Sequence, residues 1–266
     1  MSDDLRLTFD RVPELYHRAR TRYPDALWDR LAELTGLGES SAVLELGPAS
    51  GVATEELARR GATVTGVELG ANLAEAARRN LAAHPTVTIV TASFDDWEPP
   101  AWGDFDLVMA ASCWHWMDAD TKYQRAARHL RPSGHLAFWS ATHVIPEDGD
   151  PIFREIQDVY EEIGEGMPGG WVETRPGSIA ERRQEIEASG VFEVVSVDQY
   201  DWVHEYDADG YIDVLATFSG HIVMRPEQWG RLTGELRRRL AARPDGKLRR
   251  HYGAVLHVAR RRDERV

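Results

Sequence analysis

Between residues 42 and 141 the chain alternates short apolar runs with helical patterns, and this alternation limits the possible folds more than any other feature. "AVLEL" is a buried-strand run that enters the glycine turn "GPASG". "SGVATEELARRGA" then reads as a helix stopped at Gly61, and "TVTGVELG" as a second strand ending in Glu68. "ANLAEAARRNLAAHP" is helical up to Pro85, "TVTIVTASF" is a third strand and "DFDLVMAA" a fourth. In "DADTKYQRAARHL", Tyr123, Ala126, Ala127 and Leu130 share one helical face, with Asp118 or Asp120 as the expected cap. "HLAFWSA" is a fifth strand. Repeated strand–helix units of this length imply a parallel sheet covered on both faces. A ligand is then expected at the carboxyl ends of the strands, near the switch point. The Gly47–Gly51 turn and Glu68 both fall at such ends.

After residue 141 the rhythm breaks. "DPIFREIQDVYEEIGEG" and "SIAERRQEIEASG" read as helices, "VFEVVSVDQYDWVHEY" as a long strand, "ADGYIDVLATFSGHIVM" and "PEQWGRLTGELRRRLAARP" as helices, and "GAVLHVARR" as a last strand. The expected organisation is residues 1–35 as N-terminal lid helices split at Pro24, residues 36–141 as the binding core, and residues 142–266 as the remaining strands with an inserted helical cap. Within the last part, residues 142–190 and 205–245 are the cap candidates. Trp139, Trp171, Trp202, Tyr206, Tyr211 and Phe218 are either an aromatic substrate pocket or cap core.

At 266 residues and 42% hydrophobic content, the chain can form one large domain or one with a substantial insertion. No apolar run reaches membrane-spanning length and no leader pattern stands at the start, so a soluble, cytoplasmic protein without membrane partners is expected. The single cysteine, Cys113, excludes an internal disulfide and a multi-cysteine zinc site, and no metal is expected. Net charge is −13, yet residues 231–266 carry 12 Lys/Arg against 4 Asp/Glu. That basic stretch could touch RNA or anionic lipid. A solvated helix face and terminus is the preferred reading, because an acidic body repels polyanions.

The glycine turn narrows the ligand. Gly47 lets the chain leave its strand sharply, and Gly51 lets the next helix pack closely. The start of that helix offers backbone N–H groups and a partial positive charge. Glu68, ending the second strand, suits the two hydroxyls of a ribose. A dinucleotide site places glycine where Ala49 stands, so that the backbone can approach a pyrophosphate. S-adenosylmethionine (SAM) has no pyrophosphate, and its compact methionine tail tolerates a Cβ at position 49. A negative Glu45 would repel phosphate and suit an ammonium.

"VLELGPASG", "GVELG", "IVTASFDDW", "FDLVMAASCWHWMD" and "HLRPSGHLAFW" resemble, in order and spacing, the motifs of class I SAM-dependent methyltransferases. "FDRVPELYHRARTRYP" and "HWMD" are similar to the subgroup containing trans-aconitate methyltransferases and related small-molecule enzymes. The resemblance implies an α/β fold: a Rossmann-like, doubly wound, seven-stranded, mostly parallel sheet with a helical cap. It implies SAM as cofactor, S-adenosylhomocysteine as product, and a small-molecule acceptor methylated on oxygen. Glu45, Gly47, Ala49 and Gly51 would hold the methionine part and Glu68 the ribose, with Leu69 on one adenine face. Ser93 and Phe94 would stand at the adenine edge. Asp95 is either an acceptor for the adenine amino group or a turn residue.

In the same resemblance, Arg20 pairs with the methionine carboxylate and Tyr16 sits near the reacting groups. The other readings are a surface ion pair for Arg20 and packing for Tyr16. Aromatic faces and carbonyl oxygens suit a cationic centre, which makes Ser112 and Trp114 candidates beside the sulfonium. His115 is either a general base or the residue that orders its loop. Together with Trp139 and His221 it completes the candidate substrate contacts. Three other possibilities stay open: a nitrogen or carbon acceptor, an RNA or protein acceptor, and a SAM-binding protein with a non-methylating role. The oligomeric state is not legible.

Overall fold

The computed structural model describes residues 3–99, 101–166 and 172–263. Five parallel strands form the frame: β1 (Ala42–Leu46), β2 (Thr63–Glu68), β3 (Val87–Thr91), β4 (Phe105–Ala111) and β5 (Leu130–Trp139). A two-residue strand β6 (Thr142–His143) and the long antiparallel pair β7 (Phe192–Tyr206) and β8 (Leu248–Arg261) complete the sheet. The order is β3-β2-β1-β4-β5-β8-β6, with β7 on β8. Among the described residues the sheet has eight strands where seven were expected, the addition being β6, too short to leave a pattern in the sequence. β1 and β4 are neighbours, so the switch point lies between their carboxyl ends.

Short helices precede the sheet: α1 (Asp3–Arg6), a 3₁₀ turn at Leu7–Arg11, α2 (Pro13–Ala19) and α3 (Asp25–Thr35). Helices α4 (Val52–Arg59) and α5 (Ala71–Asn80) follow β1 and β2, and α6 (Lys122–His129) precedes β5. Strand alternation splits the core in two. Val43, Leu107, Met109 and Trp139 meet Leu27, Trp28 and Leu31 of α3 and Leu57 of α4 on one face. Leu44, Leu46, Val108, Trp114 and Phe138 meet Tyr123 and Ala126 of α6 on the other. The face of α6 is as its spacing predicts. Its N-cap position is Thr121, while Asp118 instead closes the preceding turn through the N–H groups of Asp120 and Thr121.

The second half holds α7 (Ile152–Glu155), α8 (Gln157–Glu162), α9 (Arg183–Ala188), α10 (Ala208–Leu215), α11 (Ser219–Ile222) and α12 (Pro226–Ala241). Helices α7, α8, α10 and α12 share one apolar cluster with Tyr206, Leu248 and Tyr252 from β7 and β8. Helix α9 does not join them. Its Ile186 packs with Phe192 and Tyr123 against the sheet, so this part of residues 142–190 covers the core. The helix expected over "ADGYIDVLATFSGHIVM" breaks after Leu215, and the break brings Thr217 and Phe218 toward the switch point. Trp171 lies outside the described residues. Among the described residues no helix is long and apolar enough to cross a membrane, and no group of acidic, His or Cys side chains could hold a metal.

Candidate active site

At the carboxyl ends of β1, β2 and β4 lies a cavity of about 310 Å³. Its floor is the glycine turn. Gly47 (φ +58°), Ala49 (φ +50°) and Gly51 (φ +92°) are all left-handed. A Cβ on Gly47 would stand 3.1 Å from the Cys113 Cβ and Sγ, so the turn lies tight against the loop after β4. A Cβ on Gly51 would meet Leu81 at 2.7 Å, so this glycine serves helix packing and does not line the cavity. Ala49 holds a conformation that costs an L-residue about 1–2 kcal/mol. It is kept there in part by its N–H, which donates to Glu68 Oε2 at 2.8 Å.

Glu68 Oε1 accepts a second bond from the Gly70 N–H at 2.8 Å. The carboxyl is 6% exposed, and burial raises its pKa against the pull of these two N–H groups. A carboxylate has about four acceptor positions, so two backbone bonds leave room for two hydroxyls. Leu69, Ser93, Phe94 and Asp95 line the same end. Asp95 pairs with Arg6 at 3.3 Å, joining the N-terminal segment to the loop after β3.

Tyr16, Arg20, Ser112 and His115 line the rest of the cavity. The Arg20 guanidinium lies 4.7 Å from the Tyr16 ring centroid and 4.7 Å from that of Phe218, and Nη2 donates to the Thr217 carbonyl at 2.7 Å. Ser112 (φ +63°) is left-handed without being glycine. Its Oγ shares a hydrogen bond with the Tyr23 hydroxyl at 2.7 Å and accepts from the Ala141 N–H at 3.1 Å, tying three segments to the rim. His115 stands exposed at that rim beside Trp116. Desolvation, then the positive charges of Arg182 and Lys122, lower its pKa, so the ring is neutral at pH 7.

Several expected contacts lie elsewhere. Glu45 is 1% exposed near the carboxyl end of β1, outside the cavity. Burial first, and then the nearby Glu68, push its pKa up to about 8, so it is mostly neutral at pH 7 and does not present the negative charge read from the sequence. Trp114 is core: it stacks on Phe138 at 5.1 Å and its Nε1 donates to the Tyr123 hydroxyl. Trp139 points to the opposite face of the sheet from Phe138 and packs on Tyr23 and Trp28. His221 stands behind Phe218, bonded to the Tyr160 hydroxyl at 2.8 Å, and does not reach the cavity wall. The sequence does not mark Phe9 and Trp116 as wall residues, and of the six aromatics weighed as a substrate pocket only Phe218 lines the cavity among the described residues. Phe9 meets Tyr16 at 6.1 Å and Trp116 at 6.0 Å, both edge to face, which closes the wall between the N-terminal segment and the loop after β4. The paired tryptophans of "CWHWM" were the available signal for Trp116, whereas Phe9 is the lone aromatic of "LTFDRV".

A doubly wound sheet with a glycine turn, an acid at the end of β2 and a cavity at the switch point defines a nucleoside-binding α/β protein. Residues 43–134 match the family described as methyltransferase domain. An rRNA adenine N-6-methyltransferase of Saccharopolyspora erythraea is 42% identical over 71 residues, covering 27% of this chain and 19% of that protein. A demethylmenaquinone methyltransferase of Tropheryma whipplei is 28% identical over 145 residues, 53% of this chain and 60% of its own length. The chain thus spans less than two thirds of these curated relatives. Among solved structures, a candidate type II methyltransferase from Anaeromyxobacter dehalogenans shares the fold, with a TM-score of 0.63 at 23% identity over 91% of this chain and 97% of that one. The family match thus places a methyltransferase domain at residues 43–134, and the solved structure shows the shared fold.

Proposed function

We propose that the protein transfers a methyl group from SAM to a small-molecule acceptor, on a hydroxyl or carboxylate oxygen. The observation that carries this reading is a single cavity that gathers the glycine turn, Glu68, Arg20 and His115 at the switch point. The residues fit the cofactor. Gly47 and Ala49 line the cavity floor, Glu68 keeps acceptor positions for two ribose hydroxyls, and Arg20 Nε is a buried donor without a partner among the described residues. When bound, SAM supplies a methyl group already activated by its sulfonium charge.

The chain's own part is alignment and exclusion of water, worth up to roughly 7–11 kcal/mol where alignment is good. Phe9, Tyr16 and Trp116 wall off the reacting space. Neutral His115 at the rim takes the proton of a hydroxyl acceptor, whereas a carboxylate needs no base. The upstream segment that resembles trans-aconitate methyltransferase-like enzymes supports an acceptor of small size. Ion pairing supports it too, because the basic stretch is largely neutralised: Arg231 pairs with Glu162, Arg239 with Asp158, Arg243 with Asp150 and Lys247 with Glu205.

Calorimetry of S-adenosylhomocysteine with Glu68→Ala tests the cofactor role, the expected loss being roughly 1.5–3 kcal/mol per charge-assisted bond at most. Unchanged affinity removes Glu68 from the ribose. With labelled SAM and an accepted hydroxyl compound, His115→Gln should lower turnover roughly 10²–10⁴-fold while cofactor affinity holds. The acidic limb of the pH–rate profile, set by a pKa below the usual histidine value, should vanish in that variant. A limb that persists assigns His115 to loop order.

A further inference from the structure

Behind the cavity wall lies a second group of polar side chains without complete partners. Arg250, on β8, is 7% exposed, and among the described residues its one side-chain hydrogen bond runs from Nη1 to the Tyr211 hydroxyl at 2.7 Å. Its Nε has no acceptor, and among the described residues no carboxylate pairs with it. Aromatic faces surround it instead: Tyr252 at 5.1 Å, Phe218 at 5.5 Å and Tyr211 at 5.7 Å. A guanidinium stays charged in any protein site, and a buried charge without a counter-ion is costly. Cation–π contact offsets only part of that cost.

His221 is the second member. The Tyr160 hydroxyl bonds its Nε2, and Nδ1 is buried without a partner. With the phenol donating, the ring proton sits on Nδ1, which makes that atom a donor lacking an acceptor. Burial and then the charge of Arg250 hold the ring neutral, with a pKa of about 4. Both groups lie against Phe218, at 5.5 Å for the guanidinium and 6.0 Å between ring centroids for His221. Phe218 is itself part of the cavity wall, with Arg20 on it at 4.7 Å. It sits at the break between α10 and α11, where the backbone is not held in a helix. Positive charge and unsatisfied donors thus converge on one ring that borders the reaction space, with no acid among them.

We propose that Arg250 and His221 form a subsite for an anionic group of the methyl acceptor, a carboxylate or a phosphate, admitted beside the Phe218 ring. The proposal rests on the methyl-transfer reading for the word acceptor, but the subsite is defined by its own residues. The planar guanidinium receives the anion through Nε, and the His221 Nδ1–H adds a second bond. Arg20 is then left for the cofactor's carboxylate, and the two guanidiniums divide two anions between them.

The test uses the full chain saturated with S-adenosylhomocysteine and four probes: phenylacetate, phenyl phosphate, and the neutral phenylacetamide and benzyl alcohol. Calorimetry should give at least roughly tenfold tighter binding for an acid than for the neutral probes. Tighter phenylacetate assigns a carboxylate, and tighter phenyl phosphate a phosphate. Arg250→Gln should abolish the preference, Arg250→Lys should keep part of it, and S-adenosylhomocysteine affinity should not move in either. Arg250→Met should fold at least as stably as the natural chain, since it removes an uncompensated charge. Equal binding of acids and neutral probes overturns the proposal, as does a preference that survives Arg250→Gln. Equal binding by the natural chain overturns the proposal even if every variant misfolds. Failure of S-adenosylhomocysteine to bind at all would instead overturn the cofactor reading.

Discussion

At the scale of single residues, Glu45 carries the clearest consequence. Its carboxyl has a pKa of about 8 in the folded chain against 4.5 for a free glutamate. The folded state therefore holds a proton that the unfolded state has lost, and stability falls as pH rises from about 4.5 through about 8. The slope is at most about 1.4 kcal/mol per pH unit. Urea unfolding at pH 6 and pH 8 should show this loss in the natural chain and a much smaller one in Glu45→Gln. Equal slopes in both would mean that Glu45 is ionised when folded. The sequence placed Glu45 beside the turn correctly but not its charge state, because an acid at a strand end reads the same whether it faces solvent or core. Trp139 failed for a related reason. Spacing puts it at the end of β5, but the pleat turns it to the face opposite Phe138, into the layer with α3. The positions of Gly47, Ala49 and Glu68 at the cavity were legible because a turn and a strand end are marked locally in the sequence.

At the scale of elements, Asp10 ties the N-terminal segment to α5. Its Oδ1 accepts from the Leu73 N–H at 2.8 Å, in the first turn of that helix, and its carbonyl accepts from Asn72 at 3.1 Å. A carboxylate there satisfies an orphan helix donor and suits the dipole. Asp10→Ala should cost about 1 kcal/mol in thermal unfolding. It should also weaken S-adenosylhomocysteine several-fold, because Phe9 and Tyr16 would lose their placement over the cavity. A stability loss with unchanged affinity would show that the segment packs without closing the site. The strand–helix alternation of residues 42–141 was readable from periodicity alone. The helical stretches of the second half were legible too, but not their breaks: α7 and α8 divide one expected helix, and α10 and α11 divide another.

At the scale of the whole molecule, the uneven charge has a structural answer. Arg231, Arg239, Arg243 and Lys247 find carboxylates 69, 81, 93 and 42 residues away in the chain, a pairing that no local count could reveal. The chain as a whole carries a net charge of −13. Anisotropy with a fluorescent hairpin RNA at physiological salt should give binding no tighter than roughly 10⁻⁵ M, within the non-specific range. Binding below about 10⁻⁷ M with a steep salt dependence would move the acceptor to RNA.

The close fit of Cys113 against Gly47 makes the chain its own reporter. The thiol is the sole cysteine, it lines the cavity, and its Sγ donates to the Leu46 carbonyl at 2.8 Å. Burial, then the charges of Glu45 and Glu68, hold its pKa well above the ordinary value, so alkylation by a neutral maleimide should be slow. A ligand lying on the glycine turn would stop it altogether. The labelling half-time, followed by mass spectrometry as S-adenosylhomocysteine is diluted away, then becomes a clock for product escape.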